Sequence, residues 1–334
     1  MIGVLLLNLG GPDSLEAVKP FLCNLFSDRD IIRLGPPFLQ GPIASLIIRM
    51  RLKKTIDAYR LIGGKSPLAE ITSAQAEALE SLLNTGKGNT PPNPPLTKGG
   101  RGGVRVYIGM RYWHPFIEDA VKMMLDEGID KVVALTLYPH YSIATTGSSV
   151  KKFEEIAARF PLRYSCITSW FDHPGYIDAF VEKIAQGMEG YKEKPAVLFS
   201  AHSLPRKIVG SGDPYVREIQ GTIDEVTKKL DIRWHLSYQS KTGPVKWLEP
   251  TTEQMLHELA GKGIKDLLVV PISFVSDHIE TLYEIDILYK DMARGLGINL
   301  KRTESLNTSP KFIEALADIV MKGAEKAGWR EIRG

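Results

Sequence analysis

The sequence has little cysteine, no long apolar run and almost no excess of charge, and each shortage removes a class of function. Of 334 residues only Cys23 and Cys166 are cysteines, far apart and in no CxxC arrangement. A thiolate zinc site or cysteine-ligated cluster is therefore not expected, and two free thiols in a reducing compartment are. No stretch approaches the ~18 apolar residues of a membrane span. The formal net charge of +3 is too small and too evenly spread for a nucleic-acid footprint, although it allows a local basic patch for an anionic small molecule. No GxxxxGK[ST] phosphate loop occurs, and Asn8-Leu9-Gly10-Gly11-Pro12 lacks the third glycine of a dinucleotide fingerprint. The N-terminal apolar run has no basic n-region and no cleavage site, so it reads as a first strand and the chain as cytoplasmic.

What is present is an alternation of short apolar runs and amphipathic segments, the pattern of repeated βα units. Strands are predicted at 4–8, 104–108, 131–137, 162–165, 196–200, 233–238, 267–272 and 300–304. Thr72 and Gln75 have the spacing of a capping box before a helix at 76–83. Pro115 suits a first helical position, with Glu118 and Asp119 behind it in the first turn, and Ser309-Pro310 opens a last helix at 311–326. Residues 86–103 are rich in glycine and proline without apolar periodicity, which predicts a surface loop with no role in chemistry. The chain divides into two halves near residue 170. Residues 38–50 are unusually apolar for a connection, and two readings stay open: a buried helix, or a lip over a cleft that admits an apolar ligand.

Two segments carry the strongest chemical signal, Ser200-Ala201-His202-Ser203-Leu204-Pro205 and the run from Ser276 to Glu284. Each follows an apolar strand, and open α/β sheets bind ligands outside the carboxyl ends of their strands. An imidazole and a group of carboxylates are therefore expected to face one another across one cleft. A neutral imidazole accepts a proton or binds a transition metal near neutral pH. If 277–288 is helical, Asp277, Glu280 or Thr281, and Glu284 share a face, where like charges raise one another's pKa and can pass protons or hold a cation. Gly10 and Gly11 suggest close approach of backbone to a ligand. Arg111, Tyr112 and Tyr138 follow strands and bring rings and a guanidinium to the same rim, with packing in the core an equally good account of the rings. The Ser66 hydroxyl, in the turn 63–67, and Arg51 and Lys54 could bind carboxylates at the cleft mouth.

Taken together, LNLGGP at 7–12, IGGKSP at 62–67, MRYWHP at 110–115, YPHYS at 138–142, TTGSS at 145–149, FSAHSLP at 199–205, QSKTGPVKWLEP at 239–250 and SDHIETLYEID at 276–286 resemble the ferrochelatase family over essentially the whole chain. Members of that family insert ferrous iron into a porphyrin as the last step of haem synthesis. The resemblance implies an α/β fold of two similar Rossmann-like domains, each a parallel sheet flanked by helices, with a porphyrin cleft between them. The expected division is 1–170, 171–308, and a C-terminal helix within 309–330 that packs back on the fold. It implies that His202 faces the pyrrole nitrogens and takes a proton or touches the metal, with Glu280 as the opposing carboxylate and Asp277, His278 and Glu284 on an adjoining path for protons or metal. Arg51 and Ser66 would anchor propionates. Arg111, Tyr112 and Tyr138 would meet the other face of the macrocycle, and Leu9, Tyr59, Ser240 and Trp247 would line the pocket.

Porphyrin and Fe2+ are then substrates, and no tightly bound cofactor is expected. Some members end in a cysteine-ligated [2Fe–2S] segment; with no cysteine after Cys166, no cluster is expected here. A monomer is expected, and peripheral membrane contact through 38–50 is left open. The acidic run and this apolar stretch lean toward protoporphyrin IX, with coproporphyrin III as the alternative substrate. A cobalt or nickel chelatase for another tetrapyrrole would call for extra histidines near the metal path, where this chain has seven in all. A non-enzymatic haem-binding protein would have no use for the carboxylates.

Overall fold

The computed structural model describes residues 1–29, 31, 36–85, 103–241 and 245–329. Two four-stranded parallel sheets organise them. The first contains β1 (Ile2–Asn8), β2 (Val104–Met110), β3 (Lys131–Thr136) and β4 (Arg163–Ile167) in the order β2-β1-β3-β4. The second contains β5 (Ala196–His202), β6 (Trp234–Gln239), β7 (Asp266–Val270) and β8 (Asn299–Arg302) in the order β6-β5-β7-β8. The same order recurs, second strand, first, third, fourth. All eight predicted strands are present, with ends shifted by a few residues. Every residue of β1 is buried, as expected of a central parallel strand covered on both faces.

The helices are α1 (Val18–Ser27), α2 (Gln40–Leu61), α3 (Leu68–Thr85), α4 (Ile117–Asp126), α5 (Ser148–Ala157), α6 (Pro174–Met188), α7 (Arg206–Gly210), α8 (Tyr215–Lys229), α9 (Thr252–Gly261), α10 (Lys290–Gly295) and α11 (Pro310–Lys326). Ile143–Gly147 and Glu280–Tyr289 are π-helical. One apolar core runs through both halves, joining Leu6 and Val133 of the first sheet to Phe199 and Leu268 of the second. Helices α6 and α11 bridge them through Tyr176, Phe180, Phe312 and Leu316. The C-terminal helix packs on α3, α6, β3 and β4, so the end of the chain covers the first sheet. Gly323 permits that approach: a Cβ there would lie 2.5 Å from Ile167 Cδ1.

Three local expectations are corrected. Thr72 and Gln75 form no capping box, because α3 begins earlier, at Leu68 behind Pro67. Thr72 instead donates to the Leu68 carbonyl and accepts from Asn8 Nδ2, while Gln75 reaches the second half, donating to Ser276 Oγ at 2.9 Å and the Asn307 carbonyl at 2.8 Å. Pro115 precedes α4 by two residues, and Asp119 accepts from the Phe116 N–H at the helix start. Of the segment 86–103, residues 86–102 lie outside the described residues. The stretch 38–50 is neither wholly buried nor wholly exposed. Ala44 and Ile48 of α2 pack inward, whereas Phe38 (77% exposed) and Met50 (67%) face out with Leu46. Among the described residues no helix is long and apolar enough to cross a membrane.

Phe312 is fully buried where α11 joins the two halves. Phe312→Ala should destabilise the chain by about 3–5 kcal/mol in denaturant unfolding, from lost burial and the cavity left behind. A loss below about 1 kcal/mol would show that α11 is peripheral.

Candidate active site

The carboxyl ends of β5, β6 and β7 lie side by side because those strands are neighbours in one sheet. His202 is the last residue of β5, in register with Gln239 at the end of β6. The backbone at His202 is held from two directions: its N–H donates to Ser273 Oγ at 2.9 Å and its carbonyl accepts from Tyr215 OH at 3.0 Å. The imidazole, about one-third exposed, meets Glu280 directly, Nδ1 to Oε2, at 2.8 Å. These two groups, 78 positions apart, were expected to oppose one another across a cleft. They form a hydrogen-bonded pair on one wall instead, since β5 and the segment after β7 emerge from adjacent strands. A carboxylate can only accept, so Nδ1 carries the proton shared with Glu280 and Nε2 is left with no hydrogen bond among the described residues.

The acidic run divides into two rows. The segment from Glu280 to Tyr289 is π-helical, ten residues of a form more often confined to a single turn at functional sites. Glu280 and Glu284 turn toward the β5 and β6 ends. Glu284 Oε2 accepts from Ser240 Oγ at 2.6 Å and Gln239 Nε2 at 3.1 Å. Asp277 does not share that face, which corrects the expected α-helical stripe. It turns to the opposite edge of the sheet, where the Arg302 guanidinium at the end of β8 binds Asp277 at 2.9 Å and forks onto Asp286 at 2.9 and 2.8 Å. Ser305 and Asn307 also donate to the Asp277 carboxylate, so its oxygens are engaged, away from Glu284. His278 is buried, with Nδ1 3.0 Å from the Ser276 carbonyl and Nε2 3.8 Å from Glu280 Oε2. Phe274 packs against both imidazoles, ring centroids 4.4 Å from His278 and 6.2 Å from His202.

Burial and charge set the protonation states against one another. Burial alone would lower the His202 pKa, but the charge and hydrogen bond of Glu280 outweigh it and raise the pKa above the ordinary histidine value. Burial would likewise push Glu280 up; the neighbouring His202, helped by His278, holds it well below the usual carboxylate range. Glu284 has no cation so close. Burial, reinforced by the negative charge of Glu280, pushes it up to about 7, against the hydrogen bonds of Ser240 and Gln239. One carboxylate stays ionised while its neighbour four positions on titrates near neutrality.

The first half supplies the facing surface. Arg51 lies within electrostatic reach of Glu284, and the buried Tyr59 within that of Glu280. Leu9 and Ile279 border the apolar cluster that includes Tyr59. Several expected contacts are committed elsewhere. Tyr112 is fully buried, its hydroxyl donating to Asp28 Oδ2 at 2.6 Å, and Arg111 Nη2 reaches the same oxygen at 2.6 Å. Tyr112 is thus a member of the core beneath the site and not an exposed contact. Ser66 is also buried, with its hydroxyl accepting from the Leu68 N–H, so it starts α3 and does not present itself at the cleft mouth. A Cβ on Gly11 would lie 2.5 Å from Ser66 Oγ, and one on Gly10 3.0 Å from Trp113 N. Both glycines allow close packing of segments of the same chain, where approach to a ligand was expected. Tyr138 is half-buried, with its hydroxyl pKa raised by burial. Trp247 is half-buried and bridged to Pro205, three residues after His202.

Sequence reasoning missed Gln239, Ser273, Phe274, Tyr215, Arg302 and Asp28. Gln239 adjoins Ser240 at a strand's end, which is a usable signal; the others are brought in by elements distant in sequence. Among the described residues no three histidine, cysteine, aspartate or glutamate side chains converge as a resident metal site requires.

Glu284 yields a test of the electrostatics. It holds its proton more tightly folded than unfolded, so its contribution to stability is full below the ordinary carboxyl range and is lost as pH rises through about 7. Glu284→Gln escapes that loss. The melting temperature of the variant minus that of the wild type should grow from about pH 5 to about pH 8; a flat difference would mean that Glu284 is not held protonated by burial.

The family model for ferrochelatase matches residues 1–324. A ferrochelatase of Geotalea uraniireducens is 50% identical over 327 residues, covering 96% of this chain and 97% of its own. One from Synechocystis is 49% identical over 330 residues, covering 96% and 82%. Among solved structures, SirB from Bacillus subtilis with Fe3+ superposes with a TM-score of 0.57 at 13% identity, over 98% of this chain and 97% of that one, a likeness of fold. With matching motifs, repeated parallel sheets and a histidine–carboxylate pair at the strand ends, the chain belongs to the ferrochelatase family.

Proposed function

We propose that this ferrochelatase inserts Fe2+ into protoporphyrin IX, with His202 as the proton acceptor and Glu280 and Glu284 as the carboxylates that handle protons and metal. The observation that carries this reading is the His202–Glu280 pair at 2.8 Å, which leaves Nε2 without a hydrogen bond among the described residues. A free-base porphyrin has two N–H protons, and both must leave as the cation enters. His202 Nε2 takes a pyrrole proton, and the imidazolium so formed is stabilised by the ionised Glu280 at Nδ1. Glu284, titrating near 7, can receive a proton or, when ionised, present an oxygen to Fe2+. Asp277 takes no part in this route, because Arg302 neutralises it.

Protoporphyrin over coproporphyrin III is supported by charge at the rim. Coproporphyrin carries two further propionates in place of vinyl groups. Arg111 is neutralised by Asp28 and Lys65 pairs with Glu70, whereas the outer face of α2 offers Leu46 and Met50. We infer that this face also touches a bilayer: Phe38, Leu46 and Met50 are exposed, with Arg49, Arg51, Lys53 and Lys54 close to them in sequence. Both cysteines are free thiols, which supports a cytoplasmic location, and two cysteines are too few for a thiolate-ligated cluster. One chain supplies both walls of the site, so a monomer suffices.

Anaerobic turnover with Fe2+, followed by loss of porphyrin fluorescence, tests the substrate. Protoporphyrin IX should be consumed with the higher kcat/KM, and a preference for coproporphyrin III would reverse the assignment. His202→Ala should lower insertion by at least about a hundredfold while porphyrin still quenches tryptophan fluorescence on binding. Undiminished turnover would remove His202 from the chemistry. Purified protein should sediment with phosphatidylglycerol vesicles, and a Phe38→Ser/Met50→Ser double variant should stay in the supernatant; equal sedimentation of the two would exclude α2 as the contact.

A further inference from the structure

We infer that Gln239 is a positioning residue for metal handling, an amide clamp that holds the Glu284 carboxylate and the first turn of the π-helical segment in a single arrangement. The inference rests on the assignment of Glu284 given above. Gln239 is almost completely buried (1% exposed) and ends β6 in register with His202. Its Nε2 donates twice, to the Glu280 carbonyl at 2.9 Å and to Glu284 Oε2 at 3.1 Å, so one side chain spans the residues that carry both carboxylates.

The orientation of this amide is determined by what surrounds it. Oε1 lies 2.7 Å from Ser200 Oγ, which must donate because an amide oxygen can only accept. Ser200 then accepts from Thr252 at 3.2 Å, and Thr252 from Ser237 at 3.0 Å. Each hydroxyl has one hydrogen, so the relay runs in one direction, from Ser237 to Gln239, through residues with no exposed surface. A flipped amide would set its oxygen against two acceptor oxygens and its nitrogen against the Ser200 hydroxyl, forcing the relay to reverse. Gln239 therefore arrives with both N–H hydrogens aimed at the π-helical segment.

The consequence falls on Glu284. Ser240, whose backbone adopts φ +65°, takes the same carboxylate oxygen at 2.6 Å. With Oε2 occupied by two donors, Oε1 has no hydrogen bond among the described residues and is the oxygen left for a cation. A carboxylate already anchored loses less freedom on binding a metal than one that must first be ordered. Gln239 touches neither porphyrin nor iron in this account; it acts through Glu284.

Steady-state kinetics of the full-length enzyme separate this role from general damage. Gln239→Met, of similar length but without donors, should raise KM for Fe2+ about tenfold, the worth of one charge-assisted hydrogen bond, with KM for porphyrin unchanged. Gln239→Asn, an amide too short to reach Glu284, should shift the same constant and guards against misfolding of the Met variant. Unchanged constants in both variants would overturn the inference, as would a fall in kcat with both KM values intact, the mark of a smaller active fraction. Glu284→Gln run beside them distinguishes the two levels. If it raises the Fe2+ KM and the Gln239 variants do not, the clamp is wrong; if it does not, the assignment of Glu284 falls and the clamp with it.

Discussion

The hydrogen bond between His202 Nδ1 and Glu280 is the contact on which the rest of the site depends. It fixes which imidazole nitrogen is occupied, and so which one remains available. It also explains why Glu280 remains ionised in a partly buried wall that would otherwise protonate it, and why His202 is a stronger base than an isolated imidazole. Having used the positive end of the pair, Glu280 in turn repels charge from Glu284 and helps lift it toward neutrality. Two carboxylates of one chemical kind thus acquire different proton affinities from their neighbours alone.

That pair exists because of strand order. In both halves the order is second, first, third, fourth, so the carboxyl ends of the two central strands are always adjacent. In the first half the corresponding end is stabilised by Asp28, which gathers Arg111, Tyr112 and Ser148 onto one oxygen. In the second half the same place holds His202, Glu280 and Gln239. One half offers a wall braced by the Arg111–Asp28 pair, and the other keeps an imidazole nitrogen and a carboxylate oxygen without hydrogen bonds among the described residues. Helix α11, returning to cover the first sheet, and Gln75, donating into the Ser276 and Asn307 turn, tie the two ends together.

The carboxylates of the acidic run show how a uniform composition is divided by its surroundings. Arg302 at the outer strand claims Asp277 and Asp286, and the inner strands claim Glu280 and Glu284. Without Arg302, four acids on one short segment would repel one another. With it, the outer pair becomes a structural anchor and the inner pair alone retains the ability to titrate or bind.

Much of this was legible in the residues themselves. Apolar runs of strand length, separated by amphipathic segments, located all eight strands, because burial on both faces demands continuous hydrophobicity. The imidazole and the acidic run stood out because each follows such a strand, and their motifs placed the chain in its family. Local pattern misled where a side chain answers to something distant. Thr72 and Gln75 have the spacing of a cap but bond across the molecule, and Asp277 shares a nominal helical face with Glu284 yet is drawn to β8. Tyr112 and Ser66 have the polarity of site residues and are buried, with their hydroxyls bonded to Asp28 and the Leu68 N–H. Ser273, Tyr215 and Phe274 carried no signal strong enough to select them, since an uncharged residue gains its role only from what it faces; Gln239 was marked only by its place beside Ser240 at a strand's end. The sequence by itself determined which segments are strands and which chemistry is present; only tertiary structure decided which groups meet, because strand order and the direction of each side chain are set by packing between residues far apart in the chain.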